Sequence, residues 1–473
     1  SLDQPASPLT YVYTYVYIKS MKFGLFYEHQ MGRPWDDGAE RQLIHDALTQ
    51  VELADSLGIQ YVWEVEHHFL EEYSHSSAPE VFLAACSQRT KQMRLGHGII
   101  LTAPQFNHPA RTAERVSMLD LVSNGRVEFG SGESASEAEL GGFGVNPLEK
   151  RDAWLEGLEV AVRCMAETPF TGVEGKYVSM PPRNVIPKPV QRPHPPLWVA
   201  CSRRDTILLA AEKGMGALTF AFIDPEEAVN WVTEYETRFA ESCVPVGFAV
   251  NPQVACVSPM MVHHDEAEAI RRGAEGSNFF GYSLGHFYVF GEHRPGRTDV
   301  WSEYVDRRSA QGYDPDAIAA ALKAEALGAK QAAGDTTGLR GSVGTPAQVR
   351  EYLRRFEEAG VDQIIFVLQA GRNEHEHIME SIEIFGTEIL PEFLERDEAQ
   401  VAAKARRLAP AIEAAMARKA AVYQPKDLGD YSFPALPKQW AKATGSAELA
   451  ATLEQWADDR AAGKRDLSAG IAG

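Results

Sequence analysis

The chain has 473 residues, of which 44% are hydrophobic and 24% charged, so it has the composition of a folded protein with a large core. Its formal net charge of −20 argues against a nucleic acid or an anionic membrane as partner, because phosphate surfaces attract basic patches. The five cysteines include no Cys-x-x-Cys pair, which predicts reduced thiols and a cytoplasmic location rather than a disulfide framework or a zinc site.

Residues 1–20 are predicted to be a leader or upstream segment, because Met21 opens the run MKFGLF like a natural start. The run YVYTYVYI within this segment is too short and too aromatic for a membrane span, and no cleavage site follows it. We therefore expect the first folded domain to begin at residue 21.

From residue 21 onward, short apolar runs alternate with amphipathic helical windows, a pattern typical of βαβ units. Eight runs predict strands, and eight strands with helices between them indicate an α/β fold, the TIM (β/α)8 barrel. The predicted strands are Lys22–Tyr27, Tyr61–Val65, Arg94–Leu101, Val127–Ser131, Leu197–Cys201, Gly216–Phe220, Gln253–Ser258 and Gln363–Leu368.

The windows between the strands predict helices. The first window keeps apolar residues on one face and stops at Gly58, a residue that commonly ends a helix. Further helices are expected over Pro79–Gln88 and Pro147–Glu167. The proline-rich segment 181–196 should cross the surface as a loop without regular structure.

About a hundred residues separate the seventh and eighth predicted strands, and we expect a lid-like insertion there, over about 275–342. Its Gly/Ala/Thr-rich part, 325–340, is the expected lid loop. The barrel should end near residue 395, and the Ala/Arg/Glu-rich sequence over 396–473 predicts a helical C-terminal extension and tail.

The residues that follow the second strand are candidates for chemistry, since reacting groups in TIM barrels lie at the C-terminal ends of strands. His67 and His68 suit proton transfer near neutral pH, and Glu66 precedes them. Packed or surface histidines are the alternative, because adjacent side chains on a strand point to opposite faces. A metal site formed with His75 and His97 is a third option, although their spacing is not that of a ligand set.

The ends of the fourth and fifth strands are consistent with an anion-binding edge of the barrel. Ser131 and Gly132 end one strand, and Ser202-Arg203-Arg204 follows the other, so amides and guanidinium groups could hold a phosphate. Ordinary helix capping by Ser202 is the alternative. The aromatic segment 279–290 also has two possible roles: it could be part of the core or form the wall of a ligand pocket.

Five separated segments in one order carry a resemblance to a known family. They are MKFGLF, VWEVEHHF, NHPARTAERVSMLDLVSNGRVEFGSG, VGTPAQVREYLRRFEEAGVDQIIF and ESIEIFGTEILP. Over about residues 21–395 the chain resembles the bacterial luciferase-like flavin-dependent monooxygenases. The resemblance implies a TIM barrel that uses reduced FMN, delivered by a separate NAD(P)H-dependent flavin reductase, and dioxygen. It also implies a homodimer and, through a C4a-peroxyflavin, oxygenation of a hydrophobic organic substrate such as an aldehyde, ketone or terpenoid.

The resemblance also implies roles for single residues, and no metal. Glu66, His67 and His68 match the Glu-His-His of the family, in which the first histidine acts in proton transfer beside the flavin. Glu133 stands where the family has a phosphate-binding arginine, so we hypothesise that Arg203 or Arg204 supplies the missing charge. The expected cofactor contacts are Gly98, Ile99, Ser131, Gly132, Glu133, Ala200, Cys201, Ser202, Arg203 and Arg204, and the expected substrate pocket is formed by Phe279, Phe280, His286 and Phe287.

Two other functions remain as alternatives. One is a deazaflavin-dependent dehydrogenase on the same barrel. The other is a non-catalytic flavin-binding partner subunit, against which the presence of His67 argues.

Overall fold

The centre of the protein is a closed barrel of eight parallel strands, seen in a computed structural model that describes residues 21–219, 223, 225–310 and 341–462. Around the ring, the barrel strands follow the order of the chain, and β9 pairs with β8 to complete the circle. The strands are β1 Lys22–Tyr27, β2 Tyr61–Glu64, β3 Arg94–Leu101, β4 Val127–Gly132, β5 Val173–Glu174, β6 Ser179–Met180, β7 Leu197–Cys201, β8 Gly216–Thr219, β9 Val254–Val262, β10 Ser342–Gly344 and β11 Gln363–Val367.

The TIM-barrel prediction is therefore confirmed. Three short strands lie outside the ring: β5 and β6 form a small antiparallel pair, and β10 adds to one end of β9. The predicted strand end at Phe220 lies outside the described residues.

Helices follow most of the barrel strands. The helices of the first compact unit are α1 Ala39–Leu57, α2 Pro79–Arg89, α3 Pro109–Val122, α4 Glu137–Gly142, α5 Lys150–Ala166, α6 Arg204–Glu212, α7 Pro225–Ser242, α8 Glu266–Gly285, α9 Val300–Ala310, α10 Pro346–Glu358, α11 His375–Ile384 and α12 Leu390–Val422. Two further helices, α13 Leu436–Thr444 and α14 Ala447–Ala461, belong to the second unit. π-Helical turns extend α8 over His286–Phe290 and α11 over Phe385–Ile389.

The helix predicted over Pro147–Glu167 begins later than expected, at Lys150. The side chain of Asn146 accepts a hydrogen bond from the backbone N–H of Leu148, which keeps the residues before the helix in a turn. The short helix α4 was not predicted, although Ser136 caps it through the N–H of Ala138. A polar helix of six residues is too short to show periodicity in a sequence.

Large aromatic side chains fill the interior of the barrel. Trp63 on β2 and Trp198 on β7 meet across it with ring centroids 5.4 Å apart. A Cβ on Gly96 would lie 2.2 Å from the Trp63 ring, so β3 needs a glycine there. Because this interior is packed, a ligand can approach the strands at their ends only.

The described part of the insertion covers the C-terminal end of the barrel. It consists of α8, the π-helical turn and α9, and two carboxylates from the loop after β2 hold it in place. Glu72 accepts hydrogen bonds from the backbone N–H groups of Val300 and Trp301, and Glu71 accepts from the N–H of Gly296. The loop 325–340 that was predicted to be a lid lies outside the described residues.

The C-terminal extension starts as the long helix α12, which buries Leu408, Ile412 and Met416. Ion pairs with the barrel add to this packing, among them Lys404 with Asp362. One compact unit ends at Gln424, and a second, which contains α13 and α14, begins at Pro425. None of the helices in the described ranges combines the length and apolar character that a membrane crossing requires.

Candidate active site

His67 lies at the C-terminal end of the barrel, between two buried carboxylates. Its Nδ1 is 2.9 Å from Oε1 of Glu139 on α4, and its Nε2 is 3.7 Å from Oε2 of Glu28, which directly follows β1. The hydroxyl of Ser134 donates to Glu139 at 2.6 Å, and the backbone N–H of His68 donates to it at 3.0 Å. Since Nδ1 faces a carboxylate, it carries a proton and the orientation of the ring is fixed.

Burial and charge act in opposite directions on these groups. Burial lowers the pKa of His67, but Glu28 and Glu139 outweigh it and raise that pKa to about 9. Burial raises the pKa of Glu28 to about 7, although His67 and the Tyr73 hydroxyl oppose the shift. Burial also acts to raise the pKa of Glu139, yet His67 holds it below the ordinary value. His67 is therefore a cation at neutral pH, with Glu139 as its anion.

Glu66 and His68 form a second pair beside the first. Nε2 of His68 is 3.1 Å from Oε1 of Glu66, and the same carboxylate accepts hydrogen bonds from the Asn107 side chain and the N–H of Leu101. The His68 ring packs on Phe143 at a centroid distance of 4.9 Å. The two adjacent histidines thus have different partners, as the alternation of side chains on an extended backbone predicts.

Small residues line the inner wall between β3, β4 and β7. Strand β3 contains an extra residue between His97 and Ile100, where its register with β4 shifts. The bulge contains Gly98 and Ile99. Gly132 and Ala200 continue the wall, and a Cβ on Gly132 would lie 3.9 Å from that of Ala200. The ends of β4 and β7 therefore present small residues on this side of the mouth, next to the larger side chains of Ile99 and Leu101 on β3.

Charged residues gather where β4 and β7 end. Arg151 bridges Glu133 and Asp205 at 3.1 Å each, and Arg203 lies 3.3 Å from Asp205. Lys150 lies 3.9 Å from Glu133, and burial together with Arg203 and Arg151 lowers the pKa of its ammonium group. Three cations thus share two carboxylates. Arg204, in contrast, pairs with Glu234 on α7, away from this group.

The remaining expected cofactor residues differ in accessibility. The Ser131 hydroxyl is buried and accepts a hydrogen bond from Trp154 on α5, so it is occupied from the outer side of the strand. Cys201 is buried in the layer between barrel and helices, where burial raises the pKa of its thiol well above the ordinary value. Ser202 is exposed. The structure therefore leaves the backbone, rather than the side chains, of Ser131 and Cys201 for contact with a ligand.

The four aromatic candidates divide into two groups. Phe280 and Phe287 lie against Tyr73 in the cluster that fills the barrel mouth, with centroid distances of 5.6 and 6.5 Å. Phe279 packs instead on Trp301 in a separate cluster. His286 is buried and faces Glu303, where burial lowers the pKa of its imidazole to about 4. Tyr288, two residues after His286 in the same π-helical turn, approaches His67 with a ring-centroid distance of 6.3 Å.

The histidines of the metal hypothesis do not converge. His75 pairs with Glu40, and His97 is buried on the outer side of β3 near Glu80 and Arg115, where burial lowers its pKa to about 4. In the ranges that the structure describes, no three His, Cys, Asp or Glu side chains are grouped to hold a metal ion.

The sequence reasoning missed Glu28, Glu139 and Lys150. Glu28 could have been found from the sequence, because it directly follows the first strand and reacting groups in TIM barrels lie at the C-terminal ends of strands. The same rule identified His67 after the second strand. Glu139 and Lys150 lie among charged residues near helix starts, a pattern typical of a solvated surface. Only the folded barrel places them against His67 and Arg203.

Comparison with known proteins agrees with this geometry. The sequence profile described as the luciferase-like monooxygenase family matches residues 21–363. The chain therefore belongs to the luciferase-like monooxygenase family, as its motifs predicted.

Three similar proteins illustrate the relationship. An uncharacterized protein, y4wF, of Sinorhizobium fredii is 33% identical over 199 residues, which are 42% of this chain and 56% of that protein. The chain thus spans about half the length of this curated relative. The oxygenase component of the flavin-dependent trigonelline monooxygenase of Acinetobacter baylyi is 26% identical over 79% of this chain and 96% of its own. The crystal structure of the monooxygenase RslO1 of Streptomyces bottropensis superposes with a TM-score of 0.60 at 26% identity, covering 79% of this chain and all of the other.

We predict that the stability of the protein falls as the pH rises from 6.5 to 9. The pKa of His67 is raised from 6.5 to about 9, so the stabilisation that its protonated ring gains beside Glu139 is fully present just below pH 6.5 and is lost as the pH passes 9. This shift corresponds to about 3 kcal/mol at most. Urea unfolding at several pH values should show a shallower fall for Glu139→Gln, which keeps an acceptor for Nδ1 but removes its charge. Parallel curves for the two proteins would contradict the assignment.

Proposed function

We propose that this protein is the oxygenase component of a two-component monooxygenase that uses reduced FMN and dioxygen to oxygenate a hydrophobic organic substrate. The observation that carries the proposal is the cation of His67, held by Glu139 at the mouth of the barrel beside a wall of small residues. The trigonelline monooxygenase relative, named as a flavin-dependent oxygenase component and matched over 96% of its length, supports both the reaction and a reductase partner.

The described residues fit a flavin mononucleotide. A planar ring system can pack against small residues, and Gly132 and Ala200 are the small residues at the ends of β4 and β7. A phosphate dianion needs cations, and Lys150, Arg151 and Arg203 share only two carboxylates. The repulsion that lowers the pKa of Lys150 would be relieved by an anion at this edge.

In this proposal the bound flavin supplies the two electrons that activate dioxygen, one atom of which enters the substrate while the other leaves as water. His67 holds a proton on Nε2 and directs it to an oxygen atom that becomes negative during the reaction. The aromatic residues Phe280 and Phe287 exclude water from this region and offer an apolar surface to the substrate.

We predict that Arg203→Ala weakens FMN binding about tenfold, the loss expected for one charge-assisted hydrogen bond. Arg204→Ala is the matched control, because Arg204 pairs with Glu234 and should change the dissociation constant less than about twofold. Fluorescence titration with FMN measures both constants. Equal losses for the two arginines would remove Arg203 from the phosphate site.

The reaction itself can be tested with isotopically labelled oxygen. The protein, a flavin reductase, NADH and FMN are incubated under ¹⁸O₂ with an aliphatic aldehyde, a cyclic ketone and a monoterpene. We expect one ¹⁸O atom in a product, and we expect His67→Gln to lower its yield roughly 100-fold while hydrogen peroxide accumulates. His75→Gln, which alters a histidine paired with Glu40, serves as control and should retain full yield. Tight binding of a deazaflavin without labelled product would instead establish the dehydrogenase alternative.

A homodimer is the assembly that we propose. Helices α2 and α3 pack side by side and present the apolar side chains Val81, Met118, Leu121 and Val122 to solvent. Exposed apolar side chains on neighbouring helices are typical of a protein interface.

We predict that the double substitution Met118→Glu, Leu121→Glu converts the dimer to monomers, because burying two carboxylates in an apolar interface is costly. Light scattering coupled to size exclusion measures the mass. The control Val229→Glu alters an exposed valine on α7 and should leave the mass unchanged. A monomeric wild type would exclude the dimer.

A further inference from the structure

Glu28 is a buried carboxylate to which the proposed function gives no role. Its side chain is 2% exposed. The Tyr73 hydroxyl donates to Oε1 at 3.0 Å and so holds one oxygen of the carboxylate, and the Ser74 hydroxyl donates to the backbone carbonyl of Glu28 at 2.9 Å. Among the residues that the structure describes, no group donates a hydrogen bond to its Oε2. A buried carboxylate oxygen without a donor is costly, which indicates that this atom serves a purpose other than packing.

Oε2 of Glu28 faces the one ring nitrogen of His67 that Glu139 does not occupy. Nδ1 is taken by Glu139, and Nε2 lies 3.7 Å from Oε2 of Glu28. This distance is longer than a direct hydrogen bond, but a movement of less than 1 Å would make one. The two atoms can therefore exchange a proton directly after a small rotation of either side chain, or through one polar atom that contacts both.

Other titratable groups surround the pair without standing between its two atoms. Tyr73 and Tyr288 lie against the His67 ring at centroid distances of 5.7 and 6.3 Å. His29 and Glu64 form their own ion pair at 3.0 Å. The titratable groups that act on His67 or Glu28 come from the segment after β1, the end of β2 and the loop after it, α4 and the π-helical turn. They are Glu28, His29, Glu64, Glu66, His67, Tyr73, Glu139 and Tyr288.

We propose that Glu28 is a positioning residue for His67, which it holds by charge and supplies with protons at Nε2. The proposal rests on the proposed function. In the step, the Nε2–H bond of His67 breaks and its proton passes to the negatively charged oxygen of the reacting molecule. The O–H bond of protonated Glu28 then breaks, its proton forms a new Nε2–H bond, and the carboxylate left behind is protonated again from solvent.

The charge state of Glu28 is consistent with this role. Burial raises the pKa of its carboxyl to about 7, against the effects of His67 and Tyr73, so both protonated and ionised forms exist near neutral pH. A carboxyl group with an ordinary pKa would hold no proton to supply under these conditions.

The test is the titration of His67 in flavin-free protein, followed by NMR with ¹³C-labelled histidine. Removing a negative charge near Nε2 should lower the pKa of His67 by at least about one unit in Glu28→Gln. Glu28→Asp keeps the charge at a greater distance and should restore at least about half of the shift. The matched control Glu40→Gln removes the exposed carboxylate that pairs with His75 on the loop after β2, and should leave the titration unchanged.

A folded Glu28→Gln protein with an unchanged His67 pKa overturns the proposal. If that variant does not fold, Tyr73→Phe replaces it, because it removes the hydrogen bond to Oε1 and keeps the charge. We expect this variant to raise the pKa of Glu28. The His67 signal should report the change, because its inflection near neutral pH should move to higher pH. An inflection at the same pH in both proteins overturns the proposal.

The pH profile of labelled product formation separates this proposal from the function on which it rests. In Glu28→Gln, the alkaline limb should move down by the same amount as the His67 pKa. A shifted His67 titration without labelled product from any substrate supports the pairing and contradicts the monooxygenase. Labelled product with an identical profile in both proteins contradicts the role of Glu28 alone.

Discussion

Closure of eight parallel strands around an interior filled by tryptophan and other aromatic rings is the constraint on which the rest of this structure depends. Because Trp63 and Trp198 meet across the barrel, no ligand can pass through it. Parallel strands bring all their C-terminal ends to one edge, so the polar residues that follow them meet there although they are distant in sequence. Glu28 and His67 approach each other for this reason.

The charges at this edge are separated into two groups. Imidazoles and carboxylates gather after β1 and β2, joined by Glu139 from α4. Arg203 follows β7, and Lys150 and Arg151 from the start of α5 join it beside Glu133 and Asp205. Small residues form the wall between them.

The insertion after β9 belongs to the same edge. Glu71 and Glu72 hold the start of α9 and the loop before it, while Phe280 and Phe287 reach the cluster around Tyr73. The side chain of His67 is 15% exposed and the carboxylates beside it are buried, so their charges act through surroundings of low polarity. The residues that anchor the insertion therefore also contribute to the buried surroundings of the His67 charge.

The sequence by itself determined the order and bounds of most barrel strands, because apolar runs and helical windows are local patterns that each segment carries alone. It also placed His67 and His68 at a strand end, and its motifs indicated the family. Only the tertiary structure decided which groups meet. Glu139 is 72 residues from His67 in the chain, and no local sequence pattern around either residue predicts their contact. The same holds for Arg203 rather than Arg204 beside Lys150, and for Phe280 rather than Phe279 at the mouth, because neighbours in a chain are directed to different surroundings by the elements packed against them.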